Sequence, residues 1–515
     1  MFNIRHATLL LVLPLLACTA CNETVKKPPK NQKRPVRNKT TPPRAEGWVP
    51  PSSPGANAGL KSADTAVAPC GGSVLCVGGG AKHKTIGAAV AAAADGATIQ
   101  VAGGTYKENV VVKEKGVVLR GGFSDDFKSR DAAANVTRIE GVRGEAALAF
   151  LEAKTSAVDG FVITKGTGNE LNKKYYILGG GIYARQTTIT ISHNVVEKND
   201  IFTGHNNKES AGGGIYVDKC QATVKLNIVR DNKSGRGALA ASGGKVRIEA
   251  NVVTGNVAVG DHGGGIYVEG PAIEIVGNYI ARNQVQWKEG AWGGGILVYN
   301  KGTVASMRGN IITANHATGA GSGTFIDDGA RVTMANELIY ANKCARDGGS
   351  GLYVDGADDG TGSTVLVMNS TIVNHPCKTG FKAAVYVEHK SEAVIKSSII
   401  WGNDGDDFEV DKTSKIKVTH SIVKEQLKGK QKRYYGEGVL FVDPMFANAA
   451  GGDFHLKSTG GRWDGKAKSW VKDAQHSPAI DSGDPKAPVA EETAPNGDRI
   501  NMGVYGGTAQ ASRSK

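Results

Sequence analysis

Short runs of alternating apolar and polar residues follow one another along most of the chain. The run Gly-Gly-Gly-Ile-Tyr occurs at 179–183, 212–216 and 263–267, and 293–297 repeats it with Leu in place of Tyr. Each copy precedes a second short β-rich run, then an Asn, two apolar residues and a further Asn, as in 194–199. Alternation of this length is typical of strands rather than helices, so the pattern predicts a chain of short strands separated by glycine-rich turns.

The closing Asn of this unit marks an internal repeat. It recurs at positions 199, 232, 256, 283, 315, 342 and 403, with His at 375, and the spacings are 33, 24, 27, 32, 27, 33 and 28 residues. A unit with two or three strands and no helix cannot bury an apolar face alone, so consecutive units must stack. We expect the longer units to carry insertions on one edge of the stack.

These repeats resemble the right-handed parallel β-helix, the pectate-lyase-like solenoid. The resemblance implies an all-β fold in which one chain winds as a single-stranded solenoid and recurring asparagines form a structural ladder from coil to coil. A solenoid also needs a cap at its N-terminal end. The stretch Thr85–Ala94 predicts a short capping helix, and Thr98–Val101 and Asn109–Val112 predict the strands that follow it.

The C-terminal sequence carries four further motifs. They are Asp-Pro-Met-Phe at 443–446, Gly-Asp-Phe-His-Leu at 452–456, Ser-Pro-Ala-Ile-Asp-Ser-Gly-Asp at 477–484 and Arg-Ile-Asn-Met-Gly-Val-Tyr-Gly-Gly at 499–507. Together they resemble the closing module of bacterial surface β-helix repeat proteins. We therefore divide the exported part into a capped β-helix over 65–440 and a C-terminal module over 441–515.

The N-terminus has the features of an export signal. Arg5 and His6 precede the apolar run 7–17, and Leu-Leu-Ala-Cys at 15–18 resembles the bacterial lipoprotein box. The resemblance implies a signal peptide over 1–17, a lipid on Cys18 that anchors the protein to a membrane, and a proline- and lysine-rich tether over 18–64. Because Thr19 rather than Asp follows, the resemblance favours the outer membrane or cell surface. The alternative is an ordinary signal peptide cut near Ala20.

Composition and charge exclude several classes of protein. Glycine accounts for 70 of 515 residues, about twice the usual ~7%. The net charge is +13, but residues 1–46 contribute nine Lys or Arg and only two Glu. The charge on the folded part is therefore modest, and we expect no nucleic-acid partner. The Gly-Gly-Gly runs enter strands rather than helices, so they are not phosphate-binding loops.

Two cysteine pairs are candidates for disulfides. Cys70 and Cys76 lie six residues apart in a glycine-rich loop, and Cys344 and Cys377 each lie seven residues before the same repeat position. Stacked coils are ~4.8 Å apart, which is within the Cα separation of a disulfide. Export implies an oxidising compartment, so we predict both bonds; the alternative for the second pair is two stacked free thiols.

Alternation along the Ile-Tyr-Val strands predicts two outward columns. One is aromatic, with Tyr183, Tyr216, Tyr267, Phe325, Tyr353 and Tyr386; the other is largely acidic, with Arg185, Asp218, Ser242, Glu269, Tyr299, Asp327, Asp355 and Glu388. Aromatic rings stack on sugars, so Tyr216, Tyr267, Tyr353 and Tyr386 are candidate carbohydrate-binding residues, as are Trp287 and Trp292 in the insertions. The alternative is that the rings pack under the inserted loops.

Asp327, Asp355 and Glu388 fall on three successive coils. Neighbouring positions would be ~4.8 Å apart, and glycosidase carboxylates lie ~5–5.5 Å apart in retaining enzymes and ~6.5–9.5 Å in inverting ones. These three residues are our candidate catalytic groups. Like charges at this spacing must share a proton, bind a cation or splay apart, so Asp327, Asp328, Asp355 and Glu388 are also a candidate calcium site.

Two classes of function remain. No Gly-His-Gly or Arg-Ile-Lys follows Asp327-Asp328, so the polygalacturonase pattern fails, and no run matches a pectate or alginate lyase well. The sequence therefore favours a lipid-anchored surface protein that binds carbohydrate or is structural. The alternative is an extracellular polysaccharide lyase or glycoside hydrolase that uses the acidic column.

Overall fold

The computed structural model describes residues 65–171, 176–202, 209–287, 290–343, 345–377, 383–424 and 433–515. Among these residues there is one α-helix, Ile86–Ala92, and it buries Ile86, Ala89 and Val90. Thr85 caps it, because its Oγ1 accepts a hydrogen bond from the Ala88 N–H at 3.2 Å. The predicted capping helix is confirmed. No helix in the described ranges is long and apolar enough to cross a membrane.

Strands from successive coils stack in parallel into three long sheets. The first sheet contains, in order, Val74–Val77, Ala97–Ala102, Val117–Phe123, Ser156–Asp159, Thr188–Ser192, Gln221–Lys225, Lys245–Glu249, Ala272–Val276, Val304–Arg308, Arg331–Ala335, Thr364–Met368, Glu392–Lys396 and Lys415–Thr419. The second contains Val110–Lys113, Leu148–Leu151, Ile182–Arg185, Ile215–Asp218, Leu239–Ser242, Ile266–Glu269, Ile296–Val298, Thr324–Ile326, Leu352–Val354, Val385–Val387 and Phe408–Val410. The third contains Gly104–Lys107, Thr137–Glu140, Phe161–Thr164, Val195–Glu197, Ile228–Arg230, Val252–Thr254, Tyr279–Ala281, Ile311–Thr313, Leu338–Tyr340, Thr371–Val373, Ile399–Trp401 and Ile422–Val423.

The remaining strands belong to insertions and to the C-terminal module. A smaller parallel sheet contains Lys233–Arg236, Val257–His262, Gln284–Val285 and His316–Ala317. Three antiparallel pairs are Asn169–Leu171 with Tyr176–Leu178, Phe446–Asn448 with Asp453–Leu456, and Arg462–Asp464 with Ser469–Val471. A 3-10 turn, Ala449–Gly451, joins the second pair. The parallel order across all three long sheets confirms the predicted β-helix.

Register within the sheets follows the repeat. Ile182, Tyr183 and Ala184 pair with Ile215, Tyr216 and Val217 of the next coil. The first and third of each trio lie in the main core, whereas Tyr183 and Tyr216 lie in a separate cluster on the outer side of the second sheet. The predicted alternation is therefore confirmed, since successive side chains of a strand point to opposite faces.

Two ladders of buried asparagines run along the inside of the turns that flank the third sheet. In each ladder the Asn Nδ2 donates to the Oδ1 of the Asn one coil further on, at 2.9–3.1 Å, and the last residue of the all-Asn stretch is Asn310 in one and Asn342 in the other. The ladders satisfy polar groups that the coil buries, which explains the repeated Asn pairs. Glu337 takes the next position of the first ladder, and His375 that of the second.

The first glycine of each Gly-Gly-Gly run has a steric role. Gly212 has φ +70°, and a Cβ there would lie 2.6 Å from both the Ile215 carbonyl oxygen and the Tyr216 Cβ. The chain therefore doubles back over the tyrosine four residues further on. Only glycine fits this close approach in the left-handed region, which explains why the triplet always precedes the Ile-Tyr strand.

Candidate functional site

A single row of side chains crosses the outer face of the second sheet at the C-terminal ends of its strands. Backbone pairing aligns Arg185 with Asp218, Asp218 with Ser242, and Ser242 with Glu269. The row continues because the amides of Tyr299, Asp327, Asp355 and Glu388 each donate to a carbonyl of the preceding coil, at 2.8–3.0 Å. We call these eight residues the polar row; its register is the one that the sequence predicts.

The first four residues, here called the paired end, contact one another in two pairs. An Arg185 guanidinium nitrogen lies 3.6 Å from an Asp218 carboxylate oxygen. The Ser242 hydroxyl donates to Glu269 Oε1 at 2.7 Å. Each acid at this end thus has a cation or a hydroxyl beside it.

The last three residues, Asp327, Asp355 and Glu388, form what we call the acidic end. The side chains of Asp355 and Glu388 are only 20% and 18% exposed. Beside them His389, which is 61% exposed, contacts Asp355 through Nδ1 at 2.7 Å and lies 3.9 Å from Glu388. His389 has φ +50°, and Gln186, Lys219 and Asp328 have φ of +49°, +52° and +54° at the same turn of other coils, so this left-handed conformation belongs to the turn.

Tyrosine hydroxyls orient the last carboxylate. Tyr353 donates a short hydrogen bond to Glu388 Oε1, and the Tyr386 side chain bonds to the same carboxylate. Glu388 therefore accepts hydrogen bonds from two rings of the aromatic column. At the other side of the acidic end, burial and the neighbouring Asp328 raise the pKa of Tyr299, and the Asp328 amide donates to Asp327 Oδ1 at 2.7 Å.

Burial and crowding raise the proton affinity of the acidic end. Burial, together with the neighbouring carboxyls of Asp328 and Asp355, raises the pKa of Asp327 to about 8. Burial also raises the pKa of Asp355 to about 6, although the hydrogen bond from His389 lowers it. Near neutral pH Asp327 thus carries a proton while its neighbour Asp355 is largely ionised, which is the division of states that general acid–base chemistry needs.

Three of these residues could hold a metal ion. Asp355, Glu388 and His389 each offer a ligand atom, and these atoms lie within 4.8 Å of one another. The predicted calcium site used Asp327, Asp328, Asp355 and Glu388; of these only Asp355 and Glu388 belong to this group, and His389 joins them. Calcium prefers oxygen ligands, whereas an imidazole suits first-row transition metals.

The aromatic column does not have the exposure that we predicted. Tyr216, Tyr267 and Tyr353 are only 8%, 4% and 3% exposed, and they belong to one buried cluster with Leu178, Ala211 and Ala320 from the insertions. A ring must offer an open face to stack on a sugar, so a carbohydrate-binding role for these three rings is a wrong prediction. Tyr386 is half-buried at the edge of this cluster.

The two insertion tryptophans are also half-buried. Trp287 packs against Ala258, Val285, Ala291 and Ala317. Trp292 packs on the aromatic cluster, with its ring centre 5.3 Å from that of His262. His262 in turn lies edge-on to Tyr299 of the polar row at 5.1 Å. Trp292 therefore contacts the polar row through His262, whereas Trp287 packs against residues of the smaller sheet and its neighbouring loop.

The cysteines support the predicted local bond. Cys70 and Cys76 form a disulfide with their Sγ atoms 1.99 Å apart. Cys377 is disulfide-bonded, but Cys344 lies outside the described residues, so its pairing stays a prediction. Cys18 also lies outside them.

Sequence reasoning missed His389, Tyr353 and Tyr386 as parts of the acidic end. His389 follows Glu388 directly at the turn, so its position after the column was a usable signal. The hydroxyl bonds of the two tyrosines were not predictable, because residues i and i+2 of a strand share a face without revealing which side chains meet across coils.

Comparison with known proteins agrees with this architecture. The profile of the family described as right handed beta helix region matches residues 294–443, and that described as disaggregatase related matches residues 410–483. No curated protein matches the chain.

Two solved structures are similar at low sequence identity. The catalytic unit of a thermostable GH87 alpha-1,3-glucanase from Streptomyces thermodiastaticus strain HF3-3 is 17% identical, with a TM-score of 0.40 over 68% of this chain and 69% of that one. A pectin methylesterase from Aspergillus niger is 13% identical, with a TM-score of 0.30 over 61% of this chain and 88% of that one. From its parallel sheets and the matching family profile, the chain is a right-handed parallel β-helix repeat protein.

Proposed function

We propose that this protein hydrolyses glycosidic bonds of an extracellular polysaccharide at the acidic end of the polar row. The observation that carries the proposal is the position of Asp327 and Asp355 on adjacent coils. Burial raises the pKa of Asp327 to about 8 and that of Asp355 to about 6, which favours one protonated and one ionised group near neutral pH. Two carboxyl groups whose environments separate their pKa values are the basic equipment of a glycosidase.

The chemistry assigns one role to each carboxyl. Asp327 donates its proton to the glycosidic oxygen as the bond from that oxygen to the anomeric carbon breaks. Asp355 attacks the anomeric carbon and forms a glycosyl ester. A water molecule, deprotonated by the Asp327 carboxylate, then releases the sugar and restores both groups. A coil spacing of ~4.8 Å is close to the ~5–5.5 Å of retaining enzymes, so we expect retention of configuration.

Glu388 and His389 support these steps. His389 donates to Asp355 and so helps to keep that carboxyl ionised. Glu388 is held by two tyrosine hydroxyls, and its charge stabilises the positive charge that develops on the sugar ring.

The charge of the site favours a hydrolase over a lyase and restricts the substrate. A lyase acts on uronates and needs a cation or a positive group for the sugar carboxylate, whereas the carboxylates of Asp328, Asp355 and Glu388 would repel it. We therefore expect a neutral or amino-sugar polymer as substrate. A structural or binding role is the second candidate, favoured by the buried aromatic column, whose rings pack against one another from coil to coil.

A polysaccharide screen tests the proposal. Purified protein is incubated with neutral, amino-sugar and uronic-acid polymers, and new reducing ends and ultraviolet absorbance are followed. We expect reducing ends without absorbance, retention at the anomeric carbon by NMR, and loss of activity in Asp355→Asn. Glu274→Gln is the matched control, because Glu274 lies on the first sheet and pairs with Arg247. No cleavage of any polymer would leave the structural role as the better account.

We also propose that the protein acts from the cell envelope, anchored through a lipid on Cys18. The support is the Leu-Leu-Ala-Cys sequence at 15–18 and the proline-rich segment after it. Cys18→Ser is expected to move the protein from the membrane fraction to the soluble fraction. Cys220→Ser, the control, is expected to stay in the membrane fraction. Membrane association of Cys18→Ser equal to that of the parent would exclude this anchor.

A further inference from the structure

The C-terminal module is bound to the solenoid by turn residues of the third sheet. Asn336 Nδ2 donates to the carbonyls of Val504 and Gly506 at 2.9 and 2.8 Å. Asn369 Nδ2 donates to the Asn501 carbonyl at 2.9 Å. One short segment of the module, 501–507, therefore receives the hydrogen bonds from two successive coils.

A buried acid lies directly behind this contact on the solenoid side. Glu337 follows Asn336 and replaces asparagine in the first ladder, where its Oε1 accepts two N–H bonds from Asn310 at 3.3 and 2.9 Å. Its side chain is fully buried, and its Oε2 has no hydrogen-bond partner in the described part of the chain. An ionised carboxylate with an unsatisfied oxygen is unstable in such a place.

A second buried acid braces the same segment from the module side. Glu492 Oε1 accepts bonds from the amides of Asn501 and Gly507, at 2.8 and 2.7 Å, and so ties the two ends of the segment together. Its Oε2 is also buried without a partner among the described residues. Two acids, each with one buried oxygen that lacks a hydrogen-bond partner among the described residues, thus lie on opposite sides of the contact between segment 501–507 and the solenoid.

We propose that Glu337 and Glu492 form a proton-dependent clasp, which holds the C-terminal module on the solenoid while both carboxyls are protonated and loosens when they ionise. Ionisation of Glu337 strains the turn that carries Asn336, and ionisation of Glu492 strains the segment that Asn336 binds. The module would then lose its hold on the coils without unfolding of the solenoid.

The electrostatics support this direction. Burial raises the pKa of Glu337 to about 8, with only the hydrogen bonds from Asn310 lowering it. Burial, with a smaller contribution from Asp481, outweighs the hydrogen bonds from the amides of Asn501 and Gly507 and raises the pKa of Glu492 to about 7. If undocking lets each carboxyl return toward its ordinary pKa, docking is strongest in acid and weakens as pH rises from that ordinary value toward 7–8.

Other charged groups lie at this contact, and their contribution to any pH dependence must be distinguished from that of the two glutamates. They are Asp481 beside Glu492, the Lys396–Asp484 pair at 3.7 Å, Asp453 and Arg462, and His455, whose ring stacks on Tyr505 at 3.6 Å. His455 also bonds to Asp453 at 2.6 Å. A variant of His455 is therefore part of the test.

Hydrogen exchange of the full chain at pH 6 and pH 9, corrected for the intrinsic rate, tests the clasp. We expect protection of peptides covering 501–507 to fall at least tenfold in the parent, and less than twofold in the double variant Glu337→Gln/Glu492→Gln. Peptides covering 215–218 report on the solenoid and should not change.

Three outcomes would overturn the proposal. They are an unchanged protection in the parent, the same fall in the double variant, and a fall that disappears in His455→Gln alone. If the double variant does not fold, Glu337→Asn, which restores the ladder residue, takes its place. The parent measurement decides by itself whether the contact responds to pH.

Discussion

The two ends of the polar row occupy equivalent positions on the same sheet, yet they differ in what neutralises their acids. At the paired end Asp218 lies beside Arg185, and Glu269 accepts from Ser242. At the acidic end Asp327 and Asp355 lie beside each other, and burial raises the pKa of both. Burial raises the pKa of Asp218 as well, so the two ends differ in the coil neighbour of each acid, which is a cation at Asp218 and a second carboxyl at Asp327.

The largest expected difference between the two ends is in catalysis. Asp327→Asn removes the proton donor and should lower kcat/KM by roughly 10²–10⁴-fold. Glu269→Gln changes an acid of the same row at the paired end and should leave kcat/KM within about twofold. The rates are measured on the polymer that the screen identifies. Equal losses in the two variants would show that the acidic end is not distinct.

The second expected effect is a bell-shaped pH profile. Activity requires Asp355 ionised and Asp327 protonated, so kcat/KM should fall about tenfold per unit below pH 6 and above pH 8. His389→Gln removes the hydrogen bond that lowers the pKa of Asp355, so the acid limb should move to higher pH. A profile that is flat between pH 5 and pH 9 would contradict the assignment of both groups.

The sequence was sufficient for the fold and for the register of the row. Glycine triplets, Asn pairs and strict alternation each follow from local geometry, so Tyr183 and Tyr216 could be aligned without coordinates. The environment of the row was not predictable in this way. Whether Tyr216 is covered depends on Ala211 and Leu178 in insertions of irregular length, and whether Asp327 holds a proton depends on its burial.

The third expected effect is on stability, and it is tested by a substitution that gives the paired end a second adjacent carboxyl. Ser242→Asp removes the hydroxyl donor to Glu269 and places like charges on adjacent coils. The free energy of unfolding should fall by about 1–3 kcal/mol at pH 8. The loss should be smaller at pH 4, where the new carboxyl is partly protonated. Urea denaturation measures both values, and Ser242→Asn, which keeps a donor, is the control. A pH-independent loss would point to packing instead.

The smallest expected effect is stabilisation by calcium. It compares the acidic end with the paired end of the polar row by their ability to bind an ion. A site with a Kd of ~1 mM would stabilise the fold by about 1.4 kcal/mol at 10 mM calcium, or roughly 1–2 °C in Tm for a chain of this size. Calcium must displace the protons on Asp327 and Asp355, so the increase should be present at pH 8.5 and absent at pH 5. Asp355→Asn should abolish it, whereas Glu269→Gln should retain it. Thermal melts with calcium and with chelator supply the measurement. If zinc or manganese raises Tm where calcium does not, His389 is a ligand and the ion at Asp355 and Glu388 is a transition metal.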